Sequence, residues 1–227
     1  MNALAAKRAP RKPKREPAAV RYAFYSVLVA LVASMPVLTA LYLNGSISAD
    51  QLNAYSTIAL SMVFSFIVFS YLLAKGRRLG AIVRELGLSR KSLTPKNIVI
   101  GAGLFAFVLL IELLLQEISQ VTGIPLPTNV NALLASMPLP FLVFSFLIVP
   151  INEEILFRGF LVSRIGIIAS ALLFAIPHLL SYSSVSELVA AFAFGIAAGY
   201  VFKKTGSLYP SIFVHMLVNL IAILPFL

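Results

Sequence analysis

Apolar stretches about as long as a bilayer is thick recur along almost the whole chain. Hydrophobic residues make up 60% of the 227 residues, and charged residues make up only 11%. A helix needs about 20 apolar residues to cross a hydrocarbon core, and a bilayer cannot satisfy the exposed backbone of an open strand. The sequence therefore predicts an all-α, polytopic transmembrane helix bundle and excludes an ordinary water-soluble globule.

We predict about seven spans, with room for an eighth, short or re-entrant element within residues 117–150. They form a single transmembrane domain, residues 22–227. It follows a basic tail, residues 1–21, which has too few apolar side chains to fold alone. The predicted spans are Tyr22–Leu43, Leu52–Ala74, Asn97–Leu115, Leu139–Phe160, Ile165–Leu180, Glu187–Phe202 and Leu208–Phe226.

The 18 basic residues all fall in or beside segments that these spans place on one side of the membrane. The positive-inside rule assigns that side, and the N-terminus, to the cytoplasm. The net charge of +10 is therefore interpreted as a topology signal, with anionic lipid as a partner of the tail and no nucleic acid. The segments are residues 1–21, 75–96, 161–164 and 203–207.

The chain contains no cysteine, which excludes disulfides, thiol nucleophiles and cysteine-ligated metal sites. Its short basic N-terminus and compact length are typical of a prokaryotic plasma-membrane protein.

Three charged residues, Glu153, Glu154 and Arg158, interrupt the fourth apolar span. Each costs at least about 2.5–3.5 kcal/mol near a bilayer centre, so each needs a reason. Glu154 and Arg158 are four residues apart, which predicts an ion pair on one helix face. Glu153 points about 100° away and can take a proton. Pro150 predicts a kink just before the acids. The alternative is an ion cluster that only fixes helix packing.

The only two histidines both lie in apolar spans. His178 follows Pro177, with Phe174 one turn earlier on the same face. His215 and Asn219 are four residues apart and also share a face. Each histidine alone is often an interhelical hydrogen-bond donor, but polar residues on three separate spans are typical of a site in a helix bundle.

Depth provides a check on this grouping. Counted from the predicted cytoplasmic ends, Glu153 and His215 lie about 10 and 11 Å deep, and Asn219 lies about 17 Å deep. His178 lies deeper than the others, at about 20 Å.

Other intramembrane hydrolases do not fit the chain. Asp50 is the sole aspartate, which excludes a two-aspartate dyad. Neither His-Glu-x-x-His nor Gly-x-Ser-x-Gly occurs. A serine–histidine dyad stays open as an alternative, but no serine has a recognisable nucleophile context. A glutamate with histidines can activate water by general-base catalysis. His215 and Asn219 can donate hydrogen bonds to a developing oxyanion.

The motifs Glu153-Glu154-x-x-x-Arg158, Phe174-x-x-x-His178 and His215-x-x-x-Asn219 occur in this order. They resemble the CPBP family, which joins type II CAAX prenyl endopeptidases with bacteriocin-processing and self-immunity proteins of the Abi group. The resemblance covers about residues 139–225, the predicted catalytic core. It implies an intramembrane glutamate protease that cuts a membrane-associated or lipidated, CAAX-like peptide at a site open to the cytoplasm.

The resemblance also implies residue roles. Glu153 with His178 activates water, His215 with Asn219 stabilises the oxyanion, and Glu154 with Arg158 is a structural or substrate-orienting pair.

No cofactor is expected. The alternative is a zinc ion held among Glu153, Glu154, His178 and His215. Two further alternatives are a non-enzymatic immunity or partner-binding protein and a transporter with a Glu/His proton relay, although no inverted repeat is evident.

Overall fold

The computed structural model describes residues 15–123, 129–182 and 184–227, and within these ranges it contains helices and no strand. The predicted all-α class is confirmed. The α-helices are α1 Ala18–Leu43, α2 Ala49–Ala74, α3 Leu79–Glu85, α4 Pro95–Thr122, α5 Asn129–Ser136, α6 Leu139–Leu147, α7 Val149–Glu154, α8 Val162–Ile165, α9 Ile167–Tyr182, α10 Val185–Thr205 and α11 Tyr209–Ile223. A π-helix, Ile155–Leu161, joins α7 to α8, and 3₁₀ turns cover Arg90–Ser92 and Leu224–Phe226.

Seven apolar helices follow one another in the described part of the chain. Six are long and apolar enough to cross a membrane: α1, α2, α4, the continuous run Leu139–Ile165, α10 and the run Tyr209–Phe226. The seventh, α9, has 16 residues and falls short of the usual length of about 20. The prediction of about seven spans is therefore close.

Two predicted segments are only partly described. Residues 1–14 of the predicted tail lie outside the described residues, and α1 begins at Ala18. Within the interval given for an eighth element, α5 forms a short helix, Asn129–Ser136, while residues 124–128 lie outside the described residues.

Helix ends coincide with local sequence signals. Ser48 and Gln51 form a capping box at the start of α2. Thr94 accepts a hydrogen bond from the Asn97 amide at the start of α4. Gly206 ends α10 in the left-handed conformation, with φ 62°.

The loop between α2 and α4 folds over the start of α11. Its Ile82 and Leu86 are fully buried. The Leu208 amide donates to the Gly87 carbonyl at 3.1 Å, and the Tyr209 hydroxyl donates to the Leu88 carbonyl at 2.9 Å. Helix α11 therefore begins beneath a covering layer of protein.

Ion pairs draw several chain segments together at this end of the bundle. Arg164, after the π-helix, lies 3.3 Å from Glu85 of α3. Arg78 lies 3.7 Å from Glu16, which precedes α1, and the Leu79 amide also donates to Glu16 at 3.2 Å. Except for Arg158, the basic residues of the described chain lie in the segments of this basic end, which we define as residues 15–21, 75–96, 161–166 and 203–209.

Helices α9 and α10 pack closely because α10 presents glycines to α9. A Cβ atom on Gly195 would lie 2.8 Å from the Ala171 Cβ, and one on Gly199 would lie 3.1 Å from Cγ2 of Ile167. Small residues at a helix interface let membrane helices approach without a hydrophobic driving force. This contact brings the aromatic face of α10 towards the polar residues of the fourth span.

Candidate functional site

The fourth span is interrupted where it carries its charges. Helix α6 ends at Leu147, and α7 starts at Val149 after Ile148, whose φ is −104°. The helix is thus interrupted at Ile148, two residues before Pro150, near the position of the predicted kink. The π-helix then begins directly after Glu154. Single π turns inside helices are common at functional sites, and here the acids occupy a six-residue helix between two irregularities.

Glu154 and Arg158 form a buried ion pair, as their spacing predicts. Nη1 of Arg158 lies 2.9 Å from Oε1 of Glu154, and the two side chains are 1% and 0% exposed. The guanidinium also lies between two rings, 4.1 Å from the Phe174 centroid and 4.8 Å from the Phe194 centroid. A charge in this position is stabilised by a carboxylate on one side and by aromatic faces on the others.

His215 contacts both glutamates. Its Nδ1 lies 3.2 Å from Oε1 of Glu154, and its Nε2 lies 3.5 Å from Oε2 of Glu153. A neutral imidazole has one N–H and can donate to only one carboxylate. The contact with Glu154 is within hydrogen-bond distance, whereas the 3.5 Å contact with Glu153 is a close approach of the two groups. His215 therefore lies between the two carboxylates.

Glu153 differs from its neighbour in exposure. Its side chain is 17% exposed, whereas the Glu154 side chain is fully buried. Arg158 is paired with Glu154, so Glu153 is the carboxylate of the cluster that a small molecule can approach.

His178 joins the cluster through an aromatic ring. Its Nδ1 lies 2.9 Å from the Phe174 carbonyl oxygen. Since a carbonyl oxygen can only accept, Nδ1 is the donor, and in a neutral ring Nε2 is then the acceptor nitrogen. The Phe174 ring lies 4.8 Å from the His178 ring and 5.7 Å from the His215 ring, centroid to centroid. Helix α9 continues through Pro177. The structure thus brings both histidines to one aromatic side chain.

Asn219 lies one turn after His215 and ties α11 to α6. Its Nδ2 donates to the Ser145 carbonyl at 3.0 Å. This carbonyl lies in the last turn of α6, where the break at Ile148 disturbs the helical hydrogen bonds. One of the two amide N–H groups of Asn219 is therefore used structurally.

Two features of the site were not predicted from the sequence. Phe194 of α10 contacts the His215 ring at 5.2 Å between centroids and stacks on Arg158. In the sequence, an aromatic residue of an apolar span that lines a site cannot be distinguished from one that only packs. No sequence signal therefore identified Phe194. Asn152 is hydrogen-bonded to Ser61 and Ser65 of α2. A polar residue beside two acids was a usable signal for that contact.

The zinc alternative has no preformed cage in the described part of the chain. No group of three or more His, Asp or Glu side chains there is arranged to hold a metal ion. Instead, the Glu154 carboxylate faces Arg158, and both glutamates face the nitrogens of His215.

The six helices of membrane-spanning length indicate a polytopic integral membrane protein. Its fourth span, α9, α10 and α11 together form a buried cluster of glutamate, histidine, arginine and aromatic side chains. Residues 135–221 match the family model described as type II CAAX prenyl endopeptidase Rce1-like. The resemblance drawn from the three motifs is confirmed over this segment, which contains every predicted site residue. No curated protein and no solved structure gives a match. The family match indicates a hydrolase of the protease class that acts in the membrane.

Proposed function

We propose that this protein is an intramembrane endopeptidase in which Glu153 acts as the general base. The observation that carries the proposal is the difference between two adjacent carboxylates. Glu154 is fully buried and paired with Arg158, whereas Glu153 is partly exposed and lies 3.5 Å from Nε2 of His215. An accessible carboxylate beside an imidazole, inside a segment similar to a protease family, is suited to activating water.

The proposed reaction is hydrolysis of a peptide bond. Glu153 takes a proton from a water molecule, and the water oxygen attacks the scissile carbonyl carbon to form a tetrahedral intermediate. The carbon–nitrogen bond then breaks, and the proton held by Glu153 passes to the leaving amine. His178 orients the water. Holding one carboxylate in place for both transfers makes the proton transfers intramolecular.

His215 and Asn219 are the proposed donors to the oxyanion. Nδ1 of His215 faces Glu154, so His215 would donate through Nε2–H as the imidazolium. Asn219 has a second amide N–H in addition to the one donated to Ser145. The Glu154–Arg158 pair holds His215 from the opposite side through the 3.2 Å contact to Nδ1. Donors fixed before reaction stabilise the transition state without reorganising.

The proposed substrate is a membrane-associated or lipidated peptide of CAAX type. The family match supports this class, since the described family is one of prenyl endopeptidases. The basic end supports an active site that opens to the cytoplasm, because basic loops are retained on that side.

The proposal is tested with purified protein in lipid nanodiscs and a prenylated, fluorogenic CAAX-like peptide. We expect Glu153→Ala and Glu153→Gln to lower kcat by about 10²-fold or more, since general-base catalysis contributes about 10²–10⁴-fold. Glu112→Gln is the matched control, because this glutamate lies on α4, outside the matched segment.

Full turnover by Glu153→Gln would contradict the assignment of Glu153 as the general base. No turnover by the wild-type protein would instead favour a non-enzymatic immunity or partner-binding role for the cluster. Activity that is lost to a chelator and restored by zinc would instead favour the metal alternative.

A further inference from the structure

We propose that Asn152, held by Ser61 and Ser65 of α2, is a positioning residue for Glu153. The inference rests on the proposed function of Glu153 and adds to it a contribution from the second span. Neither serine lies in the segment that matches the protease family, which begins at residue 135.

The three side chains form a buried hydrogen-bonded group. The Ser65 hydroxyl donates to Oδ1 of Asn152 at 2.6 Å, and Nδ2 of Asn152 donates to the Ser61 hydroxyl at 3.1 Å. Nδ2 also lies 3.4 Å from Sδ of Met62. Asn152, Ser61 and Ser65 are 5%, 3% and 9% exposed. Both ends of the Asn152 amide are thus fixed to α2, and we call this group the Asn152 clamp.

Helix α7 lies between two irregularities of the fourth span. It has six residues, with a break at Ile148 before it and the π-helix after it. Backbone hydrogen bonds from Ile148 to Phe144 and from Asn152 to Ile148 continue across the junction with α6, but the irregular bonding on both sides holds this turn less firmly than a regular helix would. Contacts with neighbouring helices therefore add to its orientation.

The clamp acts on the residue next to Glu153. Successive side chains on a helix point about 100° apart, so fixing Asn152 against α2 sets the direction of Glu153. On the other flank, Glu154 is fixed by Arg158 and His215. Glu153 itself is then held between two anchored neighbours and presented to His215.

The serines differ from another buried serine on the same helix. Ser70 is 6% exposed, and within the described residues its hydroxyl has no hydrogen-bond partner. Ser61 and Ser65 lie one turn apart on one face, directed at Asn152. Replacing Ser70 therefore tests the loss of a small polar side chain from α2, whereas replacing Ser65 also removes a hydrogen bond to Asn152.

The first test compares Ser65→Val with Ser65→Thr. The two side chains have nearly the same shape, but only threonine keeps the hydroxyl. We expect Ser65→Val to lower kcat about tenfold with KM unchanged, because a misplaced base impairs the transition state without affecting substrate binding. Ser65→Thr should retain most of the wild-type kcat, and Ser70→Ala should match the wild type. Ser65→Ala, which adds no atoms, repeats the test if the added methyl groups prevent folding.

The second test does not require activity. The chain has no cysteine, so Glu153→Cys introduces a single thiol. Its rate of reaction with a small maleimide reports how the side chain at 153 is presented. We expect Ser65→Val to raise that rate about threefold or more relative to Ser65→Thr, because a less constrained turn opens more often.

The outcomes separate the two proposals. A lower kcat together with a faster thiol reaction supports the clamp. An unchanged kcat per folded molecule and an unchanged thiol rate would overturn it and leave Asn152 a packing residue only. A wild-type protein without peptidase activity, but with the expected change in thiol rate, would overturn the proposed function and support the positioning of residue 153.

Discussion

The Arg158 side chain shows why this site needs arginine rather than another cation. Nη1 lies 2.9 Å from Glu154, yet within the described residues neither Nη1 nor Nη2 makes a well-directed hydrogen bond. The guanidinium is held instead by its charge and by stacking between Phe174 and Phe194. A planar, weakly hydrated cation suits such a position, whereas a compact ammonium does not.

We therefore expect Arg158→Lys to destabilise the protein although it preserves charge. The loss should be about 1–3 kcal/mol, since a desolvated cation–π contact contributes about 2 kcal/mol or more. Thermal unfolding in nanodiscs measures it. Arg164→Lys is the matched control, because Arg164 also stacks on a ring, Phe160, at 3.7 Å but is about one-third exposed. Equal effects of the two changes would contradict the role of burial.

At the scale of helices, the spacing of α9 and α10 decides whether the site assembles. Helix α9 carries Phe174 and His178, and α10 carries Phe194, so all three depend on one interface. That interface is closest at Gly195, where an added Cβ would lie 3.0 Å from the Cα of Ala171. Backbone lies on both sides of this contact, so the helices themselves must move to relieve a clash.

We expect Gly195→Ala to cost about 1–3 kcal/mol of stability, as overpacking usually does, and to reduce peptidase activity by separating α9 from α10. Gly103→Ala is the control, because Gly103 lies on α4 with nothing within 4 Å of its added Cβ. Replacing glycine by alanine in an open helix position favours the helix. Unfolding and turnover assays on both variants are the measurements. A Gly195→Ala variant with wild-type stability and wild-type activity would refute the packing argument.

The helices were predictable from the sequence, but their internal irregularities were not. Apolar length and the Glu154–Arg158 spacing are local properties, and both appear in the structure as expected. Pro150 indicated a kink, whereas nothing local marks the π-helix that follows Glu154. The hydrogen bond from Asn219 to Ser145 joins two helices that are distant in sequence. Hydrophobic periodicity identifies each helix but does not show which of their residues meet.

The predicted end of the fourth span was wrong, and this error affected the predicted depth of Glu153 relative to His178. His178 was expected about 20 Å deep and Glu153 about 10 Å deep, with the fourth span ending at Phe160. The helical run continues to Ile165, which moves Glu153 to about 18 Å and agrees with about 17 Å for His178 counted from Ile167. Counting also assumes that helices start at one level, yet α11 starts under a buried loop, with Leu208 0% exposed.

For the whole molecule, that loop links the first spans to the matched segment. Gly87 has φ 72°, and a Cβ there would lie 2.7 Å from the Gly206 carbonyl oxygen and 3.1 Å from the Leu208 nitrogen. Any side chain would separate the loop from the start of α11, which carries His215 and Asn219. The basic end therefore supports the site structurally.

We expect Gly87→Ala to lower both thermal stability and turnover. Gly45→Ala is the matched control, because Gly45 has φ 78° but nothing within 4 Å of an added Cβ. Both changes place alanine in the left-handed region, at a cost of about 1–2 kcal/mol. The difference between them measures the docking contact alone, and equal losses would indicate that loop docking contributes nothing.

Orientation in the membrane is the remaining property of the whole molecule that bears on the proposed function, since the side to which the site opens decides which peptides can enter. The basic end predicts that the loop at Ser46 faces outwards and that Lys91 and Lys204 face the cytoplasm. All three residues are exposed, and the chain has no natural cysteine.

We expect a membrane-impermeant maleimide to label Ser46→Cys in intact cells, and to label Lys91→Cys and Lys204→Cys only after permeabilisation. The reverse pattern would place the basic end outside. Labelling of Lys91→Cys and Lys204→Cys from opposite sides would contradict the span count, because their segments meet at one end of the bundle through the bond between Leu208 and Gly87.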